Sequence, residues 1–380
     1  MLKTVQLQEF HQKNGHVTEF AGFSLPLWFK GIVAESLAVR TSVGIFDVSH
    51  MGRVMIRGND SLRFLETLTT NDVSSLHIGE GQYSLICNKQ GGIKDDLLVF
   101  RLLDQEYLVV YNAVNRSKDF DWFLKNAAGQ YVKLEDISDQ VAMFALQGPN
   151  SIKALQRISM ENVESIPRFG CKWNKVAGMK SLISRTGYTG EDGFEIFVWD
   201  SPLASPGRAT SVWGQLLTTG RSDGIEPCGL GARDLLRLEA GLCLYGTDMD
   251  ETINPYEARL GYVVKLRKDF IGKSRLQEIK RNGPEKIRIG LVTANRVIPR
   301  HGFKIFQSSQ EVGKVTSGSL SPILDKGIAM GYVDAKKAHD ELPFEIKIRD
   351  RAEKATFAKP PFYDTNKYGY ARKNQPNTLA

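Results

Sequence analysis

The chain has 380 residues, 42% of them hydrophobic, with a formal net charge of +7, four cysteines and six histidines. That length supports two or three domains with real cores. No apolar run is long enough to span a bilayer, and no charged-then-apolar leader opens the sequence.

In chain order, an amphipathic start (Leu7, Phe10, His11) leads through Gly22-Phe23-Ser24-Leu25-Pro26 to a helix expected around Ile32 to Arg40. The turn Phe46-Asp47-Val48-Ser49-His50-Met51 feeds a strand at Val54-Met55-Ile56. A helix over Ser61 to Thr69 follows, then a hairpin of Tyr83 to Asn88 with Ile93 to Phe100. Residues 140 to 280 repeat the α+β texture, with strands at Val141 to Leu146 and Ser181 to Ser184 and a helix over Val212 to Thr218. After Gly283-Pro284 come short strands with turns expected at Arg300-His301-Gly302 and Ser317-Gly318, which suggests a small β-barrel or sandwich to about residue 363. From Gly369 the chain is polar and expected to fray.

Cys87, Cys171, Cys228 and Cys243 form no CxxC or metal-like spacing, and the histidines form no HExxH cluster. This pattern points to a reducing compartment and away from a disulfide framework or a metal site. Basic residues bunch at Lys265-Leu266-Arg267-Lys268, between Lys273 and Arg281, and at Lys286 and Arg288. Without an RNA-binding aromatic motif, a zinc finger or a long basic helix, nucleic acid is not the expected partner. An acidic protein, a polyanionic small molecule or a plain solvated surface fits the charge.

Three segments carry chemistry. In Gly91-Gly92-Ile93-Lys94-Asp95-Asp96-Leu97-Leu98-Val99-Phe100, strand alternation puts Asp96 on one side with Leu98 and Phe100, and Asp95 on the other with Ile93, Leu97 and Val99. Both faces are largely apolar, as in an interior strand, so each carboxylate needs a cation, a donor or a ligand, or stays protonated. One Asp capping the Gly-Gly turn with both salt-bridged is the plainer reading. Glu195 shares a strand face with Phe197 and Trp199, a setting suited to a flat, hydrogen-bond-donating ring, though an internal pairing with an arginine fits too. In Pro227-Cys228-Gly229-Leu230-Gly231-Ala232-Arg233-Asp234, a glycine-rich turn opens a helix without the third glycine of a dinucleotide fingerprint. Arg233 falls in the first turn, where the macrodipole disfavours a cation, and Arg237 lies one turn later on the same face. Each arginine therefore pairs within the helix, with Asp234 and Glu239, or meets a ligand.

These blocks resemble the glycine cleavage system T-protein, the tetrahydrofolate-dependent aminomethyltransferase family. The resemblance is carried by Phe46 to Met51, Gly91 to Leu97, Leu146-Gln147-Gly148-Pro149, Ser184 to Glu191, Cys228 to Asp234, Tyr245 to Glu251 and Thr316 to Pro322, in order, over about residues 5 to 363. It implies an α+β fold, a three-domain cloverleaf around a central folate channel. Residues 1–282 would form two interwoven α+β domains, 285–363 a C-terminal all-β barrel-like domain and 369–380 a polar tail. It assigns the essential aspartate to Asp96, the pterin-binding glutamate to Glu195 and the folate-contacting arginine to Arg233. Tyr83, Tyr188, Asn112 and Tyr368 fall on further folate-lining positions. Phe23 and Leu25 stand where the family often has Trp and Met, and Phe100 where a Tyr is common, which removes a hydroxyl there.

The implied reaction moves the aminomethyl carbon from the lipoyl group of a partner H-protein to tetrahydrofolate, with no metal. Ammonia, 5,10-methylenetetrahydrofolate and the dihydrolipoyl carrier are its products. A fixed carboxylate beside the developing cation stabilises such a transition state, and no covalent nucleophile is required. His50 reads as a structural turn histidine. Other tetrahydrofolate-dependent demethylases share the folate domain, but the Tyr245 to Glu251 run looks more T-protein-like and no flavin-binding region is fused. A folate-binding iron–sulfur assembly factor carries a Lys-Gly-Cys-Tyr-x-Gly-Gln-Glu signature that this chain lacks. The start at Met1 suggests the cytoplasm, with the mitochondrial matrix as the alternative if a transit peptide has been removed.

Overall fold

The protein is described by a computed structural model covering residues 2–337, 342–348 and 351–372. Its strands assemble into three main sheets. The five-stranded sheet runs in the order Glu80–Cys87, Ile93–Leu103, Glu106–Tyr111, Gly52–Arg57, Lys133–Asp136, and all of these pairings are antiparallel. Ile93–Leu103 is therefore interior, as its two apolar faces require. The helix Ser61–Leu68 covers one side of this sheet, placing Phe64, Leu65 and Leu68 against Val54, Ile56, Val99 and Val109.

The six-stranded sheet runs Cys171–Val176, Met179–Ser184, Gly193–Val198, Ala142–Gln147, Val43–Asp47, Ile225–Pro227. The first region lends it Val43–Asp47, paired antiparallel to Ala142–Gln147 and parallel to Ile225–Pro227. Residues 43–47 thus share one sheet with strands from residues 142–227. Helix Gly207–Thr219 buries Val212, Trp213 and Leu216 against this sheet, where the Trp213 ring meets Phe144 edge-on at 5.2 Å.

The third sheet is a closed six-stranded barrel spanning Lys286–Thr293 to Arg351–Phe357, with Ile289, Leu291, Val315, Ala329 and Phe344 inside. Closure removes the exposed edges that an open sheet of this size would carry. Ser317-Gly318 is not a turn but lies within the strand Gln310–Ser321. A Cβ on Gly318 would sit 1.6 Å from the Pro299 carbonyl oxygen, so this glycine marks a close backbone approach.

The expected fraying from Gly369 does not hold for the first residues of the tail. Gly369 N–H donates to Glu191 at 3.0 Å and Tyr370 N–H to the Gly190 carbonyl at 2.9 Å. Arg372 pairs with Glu191 and reaches the Arg40 carbonyl. A buried carboxylate at Glu191 recruits this end of the chain, which polarity alone does not reveal. Residues 373–380 of the expected tail lie outside the described residues.

Candidate active site

A cavity of about 1410 Å³ opens between the sheets, and Asp96, Tyr83, Asn112, Glu195, Tyr188, Arg233 and Tyr368 all line it. Asp96 and Tyr83 come from the five-stranded sheet, Glu195 from the six-stranded one, and Arg233 from the helix Leu230–Ala240. Residues more than 270 positions apart, Asp96 and Tyr368 (368 − 96 = 272), share one wall only in the folded chain.

Asp96 is held on both oxygens. Tyr83 Oη donates to Oδ2 at 3.0 Å and Asn112 Nδ2 to Oδ1 at 2.7 Å. Burial and the neighbouring charge of Asp95 push its carboxyl up to about 7. That places its proton affinity where a group can both accept and return a proton near neutrality.

Alternation holds as geometry, since Asp96 faces the cavity and Asp95 is wholly buried. It does not separate their work. Asn112 continues the strand that pairs Tyr111 with Leu97, and its side chain spans both carboxylates, reaching Asp95 Oδ1 at 2.8 Å. Asp95 also accepts the Asn112 backbone N–H at 3.0 Å. It does not cap the Gly91-Gly92 turn. Asn88 does, its Oδ1 accepting from Gln90 and Gly92. Gly92 itself admits no side chain, because a Cβ there would lie 1.8 Å from the Glu251 carbonyl oxygen.

The other end of the wall is electrostatically unfinished. Glu195 is buried and accepts a hydrogen bond from Thr186, and among the described residues no arginine pairs with it. Burial raises its carboxyl above the usual range, against the Thr186 bond and the charge of Arg233. Arg233 lies 4.7 Å over the Tyr188 ring, its Nη1 is buried without a partner among the described residues, and burial lowers its proton affinity. The Tyr188 hydroxyl donates to the Cys243 carbonyl, which fixes the ring. Arg237 takes the structural role instead, pairing with Asp234 and Asp248 and donating to Ser317 Oγ at 2.9 Å on the barrel. Glu239 pairs with Arg40 and not within its own helix.

His50 lines the cavity, and burial together with the charges of Arg233, Arg53 and Arg116 pushes its imidazole down to about 3. Among the described residues its Nδ1 is buried without a hydrogen-bond partner. Tyr368 packs edge-on against Tyr363 at 6.4 Å. Sequence reasoning missed Arg168, which lies 3.5 Å over the Tyr370 ring in the cavity wall, and Thr186, the donor to Glu195, although Thr186 sits within a quoted motif. Phe100 is wholly buried against Phe197 at 6.3 Å, so a hydroxyl would have no use there. Among the described residues no cluster of His, Cys, Asp and Glu is arranged to hold a metal, and no helix is long and apolar enough to cross a membrane.

Residues 7–268 match the profile of the GCVT N-terminal domain, and residues 286–364 match that of the glycine cleavage T-protein C-terminal barrel domain. The chain belongs to the glycine cleavage T-protein family. It is 42% identical over 368 residues to the aminomethyltransferase of Caldanaerobacter subterraneus subsp. tengcongensis, covering 96% of this chain and 97% of that one. The Bacillus subtilis aminomethyltransferase is 42% identical over 367 residues, covering 96% and 99%. The crystal structure of glycine cleavage system aminomethyltransferase T from Bartonella henselae superposes with a TM-score of 0.88 at 32% identity, covering 97% of this chain and 99% of that one. The chain is accordingly an enzyme of the aminomethyltransferase class, in a family that uses tetrahydrofolate as a substrate.

Proposed function

We propose that this enzyme transfers the aminomethyl carbon from the lipoyl arm of an H-protein to tetrahydrofolate, with Asp96 as its catalytic carboxylate. In the reaction the carbon exchanges its bonds to sulfur and to the amine nitrogen for bonds to two folate nitrogens. The two protons leaving those nitrogens end on the lipoyl thiol and on ammonia, so no oxidant or reductant is consumed. Positive charge develops on the carbon–nitrogen unit, and a preorganised carboxylate beside it lowers the barrier without reorganising at the moment of reaction. Asp96, oriented by Tyr83 and Asn112, meets that requirement, and a proton affinity near 7 suits it to relay a folate proton.

Glu195 and Arg233 would bind the folate ring system. A buried carboxylate can accept from an amino-pyrimidine edge, and a guanidinium without a partner can donate to a carbonyl. Tyr188 would support Arg233 and pack against the ring, while Tyr368 would line the path to the folate tail. The cavity volume exceeds the roughly 300–1,000 Å³ of an ordinary ligand pocket, as a site that admits both a folate and a carrier's arm must.

The observation that carries this reading is the shared wall. A carboxylate of raised proton affinity faces the same cavity as a buried glutamate and a buried arginine that, among the described residues, form no salt bridge. The test is ammonia release from aminomethylated H-protein. The reading requires release that depends on added tetrahydrofolate and yields 5,10-methylenetetrahydrofolate. Equal release without folate, or none with it, sinks it.

A further inference from the structure

A third carboxylate stands behind the pair at the cavity. Asp119, on the helix Arg116–Ala127, is wholly buried, and among the described residues neither of its oxygens receives a hydrogen bond from an N–H or hydroxyl donor. Its carboxyl lies in hydrogen-bond contact with that of Asp95, which is equally buried. Two carboxyl groups hydrogen-bond only if one carries a proton, and two touching anions in a dry interior do not both ionise.

The surrounding donors decide where that proton rests. Burial raises the Asp95 carboxyl too, but it accepts the Asn112 backbone N–H at 3.0 Å and its side-chain amide at 2.8 Å, and these bonds oppose that rise. Among the described residues Asp119 has no comparable donor. The anion therefore belongs on Asp95 and the proton on Asp119.

Lys94 on the strand and Lys118 on the helix are the cations facing the pair, and both are engaged elsewhere. Lys94 pairs with Glu251 at 3.2 Å, and Lys118 donates to the Lys94 carbonyl at 2.7 Å and to Tyr245 Oη at 3.1 Å. Tyr111 and Tyr245, which also face Asp119, are held neutral by burial. Burial and the Asp95 charge outweigh the lysines and push the Asp119 carboxyl up to about 10.

We propose that Asp119 is a positioning residue for the one-carbon transfer, donating its proton to Asp95 so that Asp95 stays anionic and keeps the Asn112 amide aimed at Asp96. This rests on the reading of Asp96 as the catalytic carboxylate. The anion matters twice. Flipping the Asn112 amide would turn its oxygen onto two carboxylates, so a charged Asp95 excludes the wrong orientation. The same charge also raises the proton affinity of Asp96.

Two variants test it. Asp119→Asn presents an N–H to Asp95 in place of the O–H. It should keep turnover within a few-fold and leave the acid limb of the pH–rate profile in place. It should also lose a protonated-carboxyl infrared band that the wild type shows at neutral pH. Asp119→Leu leaves Asp95 to take up the proton itself. Turnover should then fall by up to about 10²-fold, the scale of a misplaced catalytic group, with the folate KM little changed. Its acid limb should move to lower pH, because the charge beside Asp96 is gone. No infrared band lost in Asp119→Asn would overturn the proposal, as would a wild-type turnover and pH profile in Asp119→Leu. If the leucine variant does not fold, the band in Asp119→Asn decides alone. Full turnover in Asp96→Asn would instead sink the catalytic reading and leave that band untouched.

Discussion

Arg40 and Arg233 are both drawn into the interior beside the same cavity, and they are held in opposite ways. Arg40 spends its donors inside the protein: on Glu239 at 2.8 and 3.0 Å, on Glu191 at 3.0 Å, and on the carbonyls of Thr189 and Leu236, with Tyr363 stacked 4.5 Å away. Ser321 donates to Glu239 and Arg372 pairs with Glu191, so this cluster ties the helix Ile32–Thr41, the barrel and the C-terminal segment together. Arg233 has an aromatic face beneath it, a buried Nη1 without a partner among the described residues, and Glu195 as its electrostatic neighbour. A completed ion network fastens a fold, whereas a charge kept buried and incomplete costs stability unless a ligand completes it.

The comparison can be broken most sharply at Asp96. Asp96→Asn keeps the shape of the carboxylate and removes its charge, so turnover should fall by roughly 10²–10⁴-fold. Tetrahydrofolate should still bind within a few-fold of wild type, as calorimetry would check. Normal turnover would remove Asp96 from the chemistry.

A smaller effect is expected at the binding end. Glu195→Ala should weaken tetrahydrofolate binding by roughly 1.5–3 kcal/mol, the range for a charge-assisted hydrogen bond, with little change in the rate from saturating folate. Unchanged affinity in titration calorimetry would return Glu195 to a purely internal role.

The smallest expected effect is a pH dependence. The Asp96 carboxyl sits at about 7 in the fold against an ordinary value of 3.8, so it gains its proton, and loses its charge, as pH falls through 7. Turnover should decline on that side with the slope of one proton. The stability sign is the reverse, because the unfolded chain gives up this proton near pH 4 and the folded one near 7. Wild type should therefore lose stability as pH rises across that window. Asp96→Asn, which cannot ionise, should lack both the rate limb and this loss, so its melting temperature at pH 8 should equal or exceed that of wild type. A wild-type acid limb surviving in the variant would assign the titration elsewhere.

Asp96 and Glu195 were legible in the sequence because a carboxylate inside an apolar strand is an anomaly in one dimension. Arg233 was legible because a cation in a first helical turn opposes the macrodipole. The barrel announced itself by short strands after Gly283-Pro284, and every lining residue expected from the resemblance does reach the cavity. What stayed hidden depends on register and distance. Asn112 bridges Asp95 and Asp96 only because Tyr111 pairs with Leu97, and alternation along one strand says nothing about the next. Asp119 lies on an ordinary amphipathic helix, where an Asp reads as a solvated face. The anchoring of Gly369 to Arg372 depends on Glu191, almost 180 residues away (369 − 191 = 178).

The most direct measurement sets the two arginines side by side, taking melting temperature and tetrahydrofolate affinity for Arg40→Met and Arg233→Met. Removing Arg40 leaves the buried Glu239 without a cation and Glu191 with Arg372 alone, and should cost about 3–5 kcal/mol of stability, while the folded fraction binds folate within a few-fold of wild type. Removing Arg233 should leave the melting temperature unchanged or higher and weaken folate binding by at least about tenfold, or 1.4 kcal/mol. An Arg233→Met protein that melts early and binds folate normally would contradict the account.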